Sequence, residues 1–270
     1  MDFTLPETVL VAGNGQSLES ICPGRLLATD SVVRVNNFFF ERRRFLGDRV
    51  DLALVAGDPR IAPFVFAAIA QAREQYRVAA WSGLTRRIAR MGNSILSDLN
   101  VPQVPFRLRD RNVEAMLARL QAEYGAEPTN GVRAVLLAHA LGARRILLAG
   151  IDLYSGPRRY AYDPGPHQLA LLGADLAQRG YDSNLHAADL DRRVVAWMAE
   201  QPDVTLWRTA DVPALNDLVD LAPLRLGPPL VALDKKPITD WPRWAGWRSI
   251  HVLRLLRRGR AFQRRLFSEA

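Results

Sequence analysis

The chain has a single cysteine, Cys22, and four histidines among its 270 residues. One thiol excludes a disulfide within the chain and any zinc site built from several cysteines, and it fits a reducing compartment. No apolar run is long enough to cross a bilayer, so a membrane-spanning helix is not expected. The opening residues Met1-Asp2-Phe3-Thr4 lack the basic start and apolar core of a secretory signal, and no segment repeats along the chain. Excess charge is absent from most of the sequence. The net +8 lies wholly in residues 235–270, where ten Lys or Arg face Asp240 and Glu269; the remainder holds 26 basic and 26 acidic residues. A neutral body argues against a nucleic-acid-binding protein, because neutralising phosphates needs a basic surface.

What is present reads as a globular α/β chain. The sequence is 49% hydrophobic and its mean hydropathy is −0.07, enough apolar material for a sizeable core. From Val9 to about Trp207, short apolar runs alternate with helix-length segments, the order of a mainly parallel sheet with helices on both faces. The strands expected are Val9–Ala12, Val32–Val35, Leu52–Val55, Val78–Trp81, Ile146–Ala149 and Val204–Trp207. Helices are expected over Ala62–Gln75, Val113–Tyr124, Val132–Leu141 and Leu190–Glu200. Gly156-Pro157, Pro164-Gly165-Pro166 and Gly180 break this rhythm, so residues 153–186 read as an inserted lid. The expected organisation is one Rossmann-like nucleotide-binding domain (1–152 and 187–234), the lid (153–186) and a basic amphipathic tail (235–270). In that tail Trp241, Trp244 and Trp247 recur at three-residue spacing, followed by Ile250, Leu253 and Leu256, with Arg248, Arg254, Arg257 and Arg258 between them. Such a pattern predicts a helix lying in a membrane interface; a helix docked on the sheet and an RNA-binding arm are the other readings.

Two strand-to-loop junctions carry most of the functional signal. After Val9–Val11 comes Gly13-Asn14-Gly15-Gln16-Ser17 and a helix-like stretch from Leu18, where glycine would let backbone amides approach an anion. The dinucleotide fingerprint is incomplete there: Leu18 replaces the third glycine, and Arg34-Val35-Asn36-Asn37 offers no acidic residue at the end of the second strand. A structural turn is the alternative. Asn36 and Asn37, at the end of a buried strand, can bridge backbone or hold a sugar hydroxyl or phosphate. Pro128-Thr129-Asn130-Gly131 opens an apolar helix, so Thr129 and Asn130 serve either as an ordinary cap or as ligands for phosphate or ribose. The second junction, AGIDLYSGPRRYAYD, sets Ile151, Asp152 and Leu153 just past a buried strand, followed by Tyr154 and Tyr160. Two phenols there could donate to a departing phosphate. His186, at the end of the lid and before a helix, has the context of a general base. Asp189-Leu190-Asp191 spells a metal-binding pair, but its place at a helix start favours capping and helix-dipole stabilisation, and no metal is expected.

In this order and spacing, VLVAGNGQSLESI, VVRVNNFFFERRRFLG, PTNGVRAVLLAHALG, AGIDLYSGPRRYAYD and His186 resemble the bacterial sialyltransferases of glycosyltransferase family 42, the Campylobacter lipooligosaccharide type. The resemblance runs from about Val9 to Trp207. It implies a metal-free variant of the GT-A fold with a small lid, which inverts the anomeric centre as it moves Neu5Ac or a related keto-sugar from a CMP donor to a hydroxyl of a bacterial surface glycan. It further implies His186 as the base, Tyr154 and Tyr160 on the phosphate, and Asn14, Gly15, Asn36, Thr129, Asn130 and Ile151 to Leu153 around the nucleotide. A tetramer held peripherally on the inner face of the cytoplasmic membrane by its basic tail would follow as well. The chain departs from the family where an arginine and a serine or threonine are usual and Glu127 and Asn130 stand instead. It departs again at Val55-Ala56-Gly57-Asp58-Pro59, which lacks a donor-contacting asparagine; these positions bear on which CMP-keto-sugar is used. A nucleotide-binding protein related to pyrophosphokinases or motility glycosylation is the alternative, but acidic ligands for magnesium are not found at a strand end.

Overall fold

The computed structural model describes residues 3–172, 186–234, 236 and 238–257. Six strands form the central sheet: β1 (Thr8–Ala12), β2 (Ser31–Val35), β4 (Leu52–Val55), β6 (Trp81–Gly83), β7 (Arg145–Ala149) and β8 (Thr205–Arg208). Every pairing is parallel, in the order β6-β4-β2-β1-β7-β8. The expected strand Val78–Trp81 is divided. Its first half lies in β5 (Arg77–Val78), which pairs with β3 (Arg49–Val50) in a separate two-stranded ladder, and Trp81 opens β6.

Side-chain alternation places each strand between two apolar layers. Val9 and Val11 of β1, with Ile146 and Leu148 of β7, face the core formed with α3 (Arg111–Tyr124), α4 (Asn130–Ala140) and α6 (Ala188–Ala199). Leu10, Ala12, Leu147 and Ala149 face a third, smaller cluster on the opposite side. Farther along the sheet, Ala53 and Val55 pack towards α1 (Ala62–Gln71), α2 (Arg86–Leu96) and the Phe38-Phe39-Phe40 turn. That aromatic turn is core. Arg34, which shares β2 with apolar residues, is buried beside Glu41 at 2.9 Å, and the Tyr76 hydroxyl donates to Glu41 at 2.7 Å, so the buried charge is paired and hydrogen-bonded.

Helix α2 was not among the expected helices, although Ile88, Ala89, Gly92 and Leu96 recur along one buried face, with Arg86, Arg87, Arg90 and Asn93 exposed. It is fixed by packing. Gly92 sits on the Trp81 ring and against Phe66, where a β-carbon would collide with the indole.

The tail departs from the expected continuous helix. Trp241 is buried, and β9 (Trp244–Ala245) and β10 (Arg248–Ser249) form a hairpin about Gly246, which has φ 59°. Among the described residues of the tail, only 250–257 is helical. Ile250 is buried and Leu253 packs on the α1 side of the sheet, whereas Trp244, Trp247, Val252, Leu255 and Leu256 are exposed. Three tryptophans therefore do not share one face: Trp241 belongs to the body, and the other two point outward. Residues 258–270 of the tail lie outside the described residues, as do 173–185 of the expected lid. The described part of that insert is built into the body, with Ala161, Tyr162 and Leu171 buried. Within it, α5 (Pro166–Leu172) receives the Asp240 carboxylate at its first turn through the amides of His167 (2.6 Å) and Gln168 (3.2 Å).

Candidate active site

Strand order reverses between β1 and β7: β2, β4 and β6 are added on one side of β1, and β7 and β8 on the other. Loops leaving the carboxyl ends of two strands that diverge in this way open a crevice. A cleft lies there, lined by residues 13–15 after β1, 35–37 at the end of β2, 129–131 at the start of α4 and 150–154 after β7, together with Arg159, Tyr160 and His186. All eleven residues singled out in the sequence line this one cleft: Asn14, Gly15, Asn36, Thr129, Asn130, Ile151, Asp152, Leu153, Tyr154, Tyr160 and His186.

The loop after β1 is not the anion-binding helix start that its glycines suggest. It enters a five-residue 3-10 turn, Gln16–Ser20, and the amide of Ser17 donates to Asp152 Oδ2 at 3.0 Å. Ser17 Oγ donates to the other oxygen of Asp152 and accepts from the amide of Gly150 at 3.2 Å. The anion at this turn is therefore the protein's own carboxylate. Burial pushes the Asp152 carboxyl up, and its bonds to Ser17 pull against that. Gly15 is required by this closeness, because a β-carbon there would strike Asp152.

Two asparagines tie the rim together. Asn14 Nδ2 donates to the carbonyl of Val35 at 3.0 Å, and Asn36 Oδ1 accepts from the amide of Ala56 at 2.9 Å. Each amide spends one polar atom on the scaffold. Asn36 does so in the left-handed region, φ 44°, which asparagine tolerates better than most residues. At the next position Asn37 Oδ1 accepts from Trp241 Nε1 at 3.0 Å, so the tail reaches the floor of the cleft.

The loop after β7 holds consecutive left-handed residues, Leu153 at φ 45° and Tyr154 at φ 61°. A leucine and a tyrosine in this region cost about 1–3 kcal/mol each, and such strain collects at functional sites. It persists because the loop is pinned: the amide of Ala161 donates to Asn14 O at 2.9 Å and that of Arg158 to Gln16 Oε1 at 3.2 Å. Tyr160 stacks on Tyr162, with ring centroids 4.7 Å apart and planes 4° from parallel. Burial raises the Tyr160 phenol above its ordinary range, opposed by the charge of Arg159, so the hydroxyl stays protonated and able to donate at neutral pH.

His186 stands across the cleft. Its Nδ1 lies 2.7 Å from the carbonyl of Glu127, and a carbonyl only accepts, so Nδ1 carries the proton and Nε2 is the basic nitrogen. Glu127 is itself paired through its carboxylate with Arg133 of α4. Asp191 completes this wall. Oδ1 accepts from the amide of Thr129 at 2.8 Å, so the carboxylate caps α4 from outside rather than its own helix. Asp191 is fully buried, and burial raises its carboxyl to about 6. Among the described residues, no group of three or more His, Cys, Asp or Glu is placed to hold a metal ion.

Residues 7–127 match the alpha-2,3-sialyltransferase (CST-I) family. The sialyltransferase fold extends over nearly the whole chain. Cst-I, a monofunctional alpha-2,3-sialyltransferase from Campylobacter jejuni, superposes with a TM-score of 0.75 at 18% identity, covering 96% of this chain and 95% of that one. The sialyltransferase CstII from Campylobacter jejuni, in complex with the substrate analogue CMP-3FNeuAc, gives 0.73 at 20% identity, covering 89% and 96%. The sialyltransferase CST-II in complex with a trisaccharide acceptor and CMP gives 0.71 at 20% identity, covering 88% and 96%. No curated protein matches the chain by sequence.

Arg159 escaped the sequence reading, although a basic residue between the two tyrosines was a signal. Asn37 was read together with Asn36, but its bond to Trp241 had no local signal, because the two are 204 residues apart.

Proposed function

We propose that this protein is an inverting, metal-independent sialyltransferase that moves Neu5Ac, or a related keto-sugar, from its CMP donor to a hydroxyl of a bacterial surface glycan. One observation carries the reading: His186, Tyr154 and Tyr160 line a single cleft at the strand-order reversal, together with the loops after β1, β2 and β7. The sialyltransferase fold and the family match over residues 7–127 support it.

The chemistry follows from the two walls. A CMP-linked keto-sugar leaves through an oxocarbenium-like state, so the site needs a base on the acceptor side and anion stabilisation on the leaving side. His186 Nε2 takes the acceptor's hydroxyl proton, while Nδ1–H holds the ring on Glu127 O. The acceptor oxygen forms the new bond to the anomeric carbon as the bond to the phosphate oxygen breaks. The electron pair leaves with CMP, whose phosphate receives hydrogen bonds from the Tyr154 and Tyr160 hydroxyls. Attack opposite the leaving group inverts the centre. Asn14, Gly15, Asn36, Thr129, Asn130 and the backbone at Ile151 to Leu153 surround the nucleotide in this proposal, while Asp152 acts mainly by bracing the loops.

The same proposal places the protein as a tetramer on the inner face of the cytoplasmic membrane. Exposed Trp244, Trp247, Val252, Leu255 and Leu256, interspersed with Arg248 and Arg254, support the membrane contact. Ligand-dependent thermal stability measured in EDTA tests the donor. CMP should raise the Tm more than UDP, ADP or NAD do, whereas stabilisation by UDP and not CMP would overturn the assignment.

A further inference from the structure

We propose that Arg159 is the anion-recognition residue of the cleft, gripping the donor's phosphate between Tyr154 and Tyr160. The inference rests on the reading of the cleft as a CMP-sugar site and assigns a residue that nothing in that reading uses. A CMP-linked keto-sugar brings the charge of its phosphodiester and that of a carboxylate. Among the described residues lining the cleft, Arg159 is the only Lys or Arg and so the permanent cation that can meet it. The one carboxylate among those residues, Asp152, is turned onto Ser17.

Geometry sets the guanidinium against both phenols assigned to the leaving group. Its central carbon lies 4.8 Å from the Tyr160 ring centroid and 5.8 Å from that of Tyr154. Both are within the reach of a cation–π contact, and its Nε is shut off from solvent. A planar fork held by two phenol rings can donate to a phosphate that also accepts from their hydroxyls. When the ester bond breaks, the phosphate gains negative charge, so this contact strengthens towards the transition state and not only in the bound ground state. Arg158, the next residue back, is directed elsewhere: its side chain pairs with Glu19 outside the cleft.

Calorimetric titration of the full chain and its Arg159→Gln, Arg159→Lys and Arg158→Gln variants with CMP, cytidine, CMP-Neu5Ac and inorganic phosphate tests this. Arg159→Gln should weaken CMP about 30-fold, the effect of losing one charge-assisted contact, and leave cytidine unchanged. Arg159→Lys should fall between, and Arg158→Gln should match the parent chain. Unchanged CMP affinity in folded Arg159→Gln overturns the proposal, as does an equal loss for CMP and cytidine, which marks a merely structural role. A loss seen with CMP-Neu5Ac but not with CMP assigns the arginine to the sugar carboxylate and overturns the phosphate assignment. A parent chain that binds phosphate through Arg159 but prefers another nucleotide to CMP keeps the anion site and removes the cytidine reading. CMP binding that survives Arg159→Gln intact does the reverse.

Discussion

Replacing Asp191 by asparagine should remove a pH dependence that the fold carries in one buried carboxyl. Asp191 has no exposed surface, and burial raises it from 3.8 to about 6 against the pull of Thr129 and Arg133. The folded state thus binds this proton more tightly than the unfolded chain. Its contribution to stability is full below pH about 4 and is lost as pH rises through 6, opposite in sign to a salt-bridged aspartate. The difference between 3.8 and 6 corresponds to about 3 kcal/mol once the group is fully ionised. Asparagine keeps an oxygen for the Thr129 amide and carries no charge, so the variant should gain on the parent chain by up to about 3 kcal/mol between pH 4 and pH 7.5. Urea unfolding at intervals of half a pH unit measures it, and comparing the two chains cancels the other titrating groups. Parallel stability curves across this range would refute the reasoning.

Other perturbations probe the links between the tail, the scaffold and the cleft. Trp241→Phe keeps most of the ring's packing but removes the bond to Asn37 Oδ1, so it should cost about 1–2 kcal/mol in unfolding experiments and weaken CMP binding measurably. Gly92→Ala should lower the Tm by several degrees, because the added methyl meets the Trp81 ring; an unchanged Tm would mean that α2 can move aside. Removing residues 258–270 should weaken binding to anionic liposomes while leaving the Tm intact, whereas deletion from residue 235 should also destabilise the body by removing Trp241 and Asp240. Liposome binding that survives both deletions would contradict the proposed membrane contact.

The sheet was legible because Val9–Ala12, Leu52–Val55 and Ile146–Ala149 are uninterrupted apolar runs, and Val32–Val35 and Val204–Trp207 are broken by one residue each, Arg34 and Thr205, a pattern that suits burial on both faces. The exception, Val78–Trp81, shows the limit of that signal: four apolar residues span two ladders, and composition does not say which. The cleft residues were legible because the loops after β1, β2 and β7 carry Asn, Gly and Tyr where a buried strand ends. What those residues do locally was less visible. The bond from Ser17 to Asp152 joins positions 135 apart, and the cap that Asp191 provides goes to a helix 62 residues earlier, so neither pairing has a local sequence signature. The tail failed for a different reason. Three-residue spacing of tryptophans suggested a helix, but Gly246, in the left-handed region, turns the chain back between Trp244 and Trp247. Pro242 and Gly246 were the available warnings.

The most direct test of the account is transfer itself: CMP-Neu5Ac and a panel of galactosides incubated in EDTA with the parent chain and with His186→Ala, the product's anomeric configuration read by NMR. The account predicts an inverted sialoside from the parent chain and CMP binding without appreciable transfer from the variant. A retained configuration, or near-full turnover by His186→Ala at neutral pH, would contradict it.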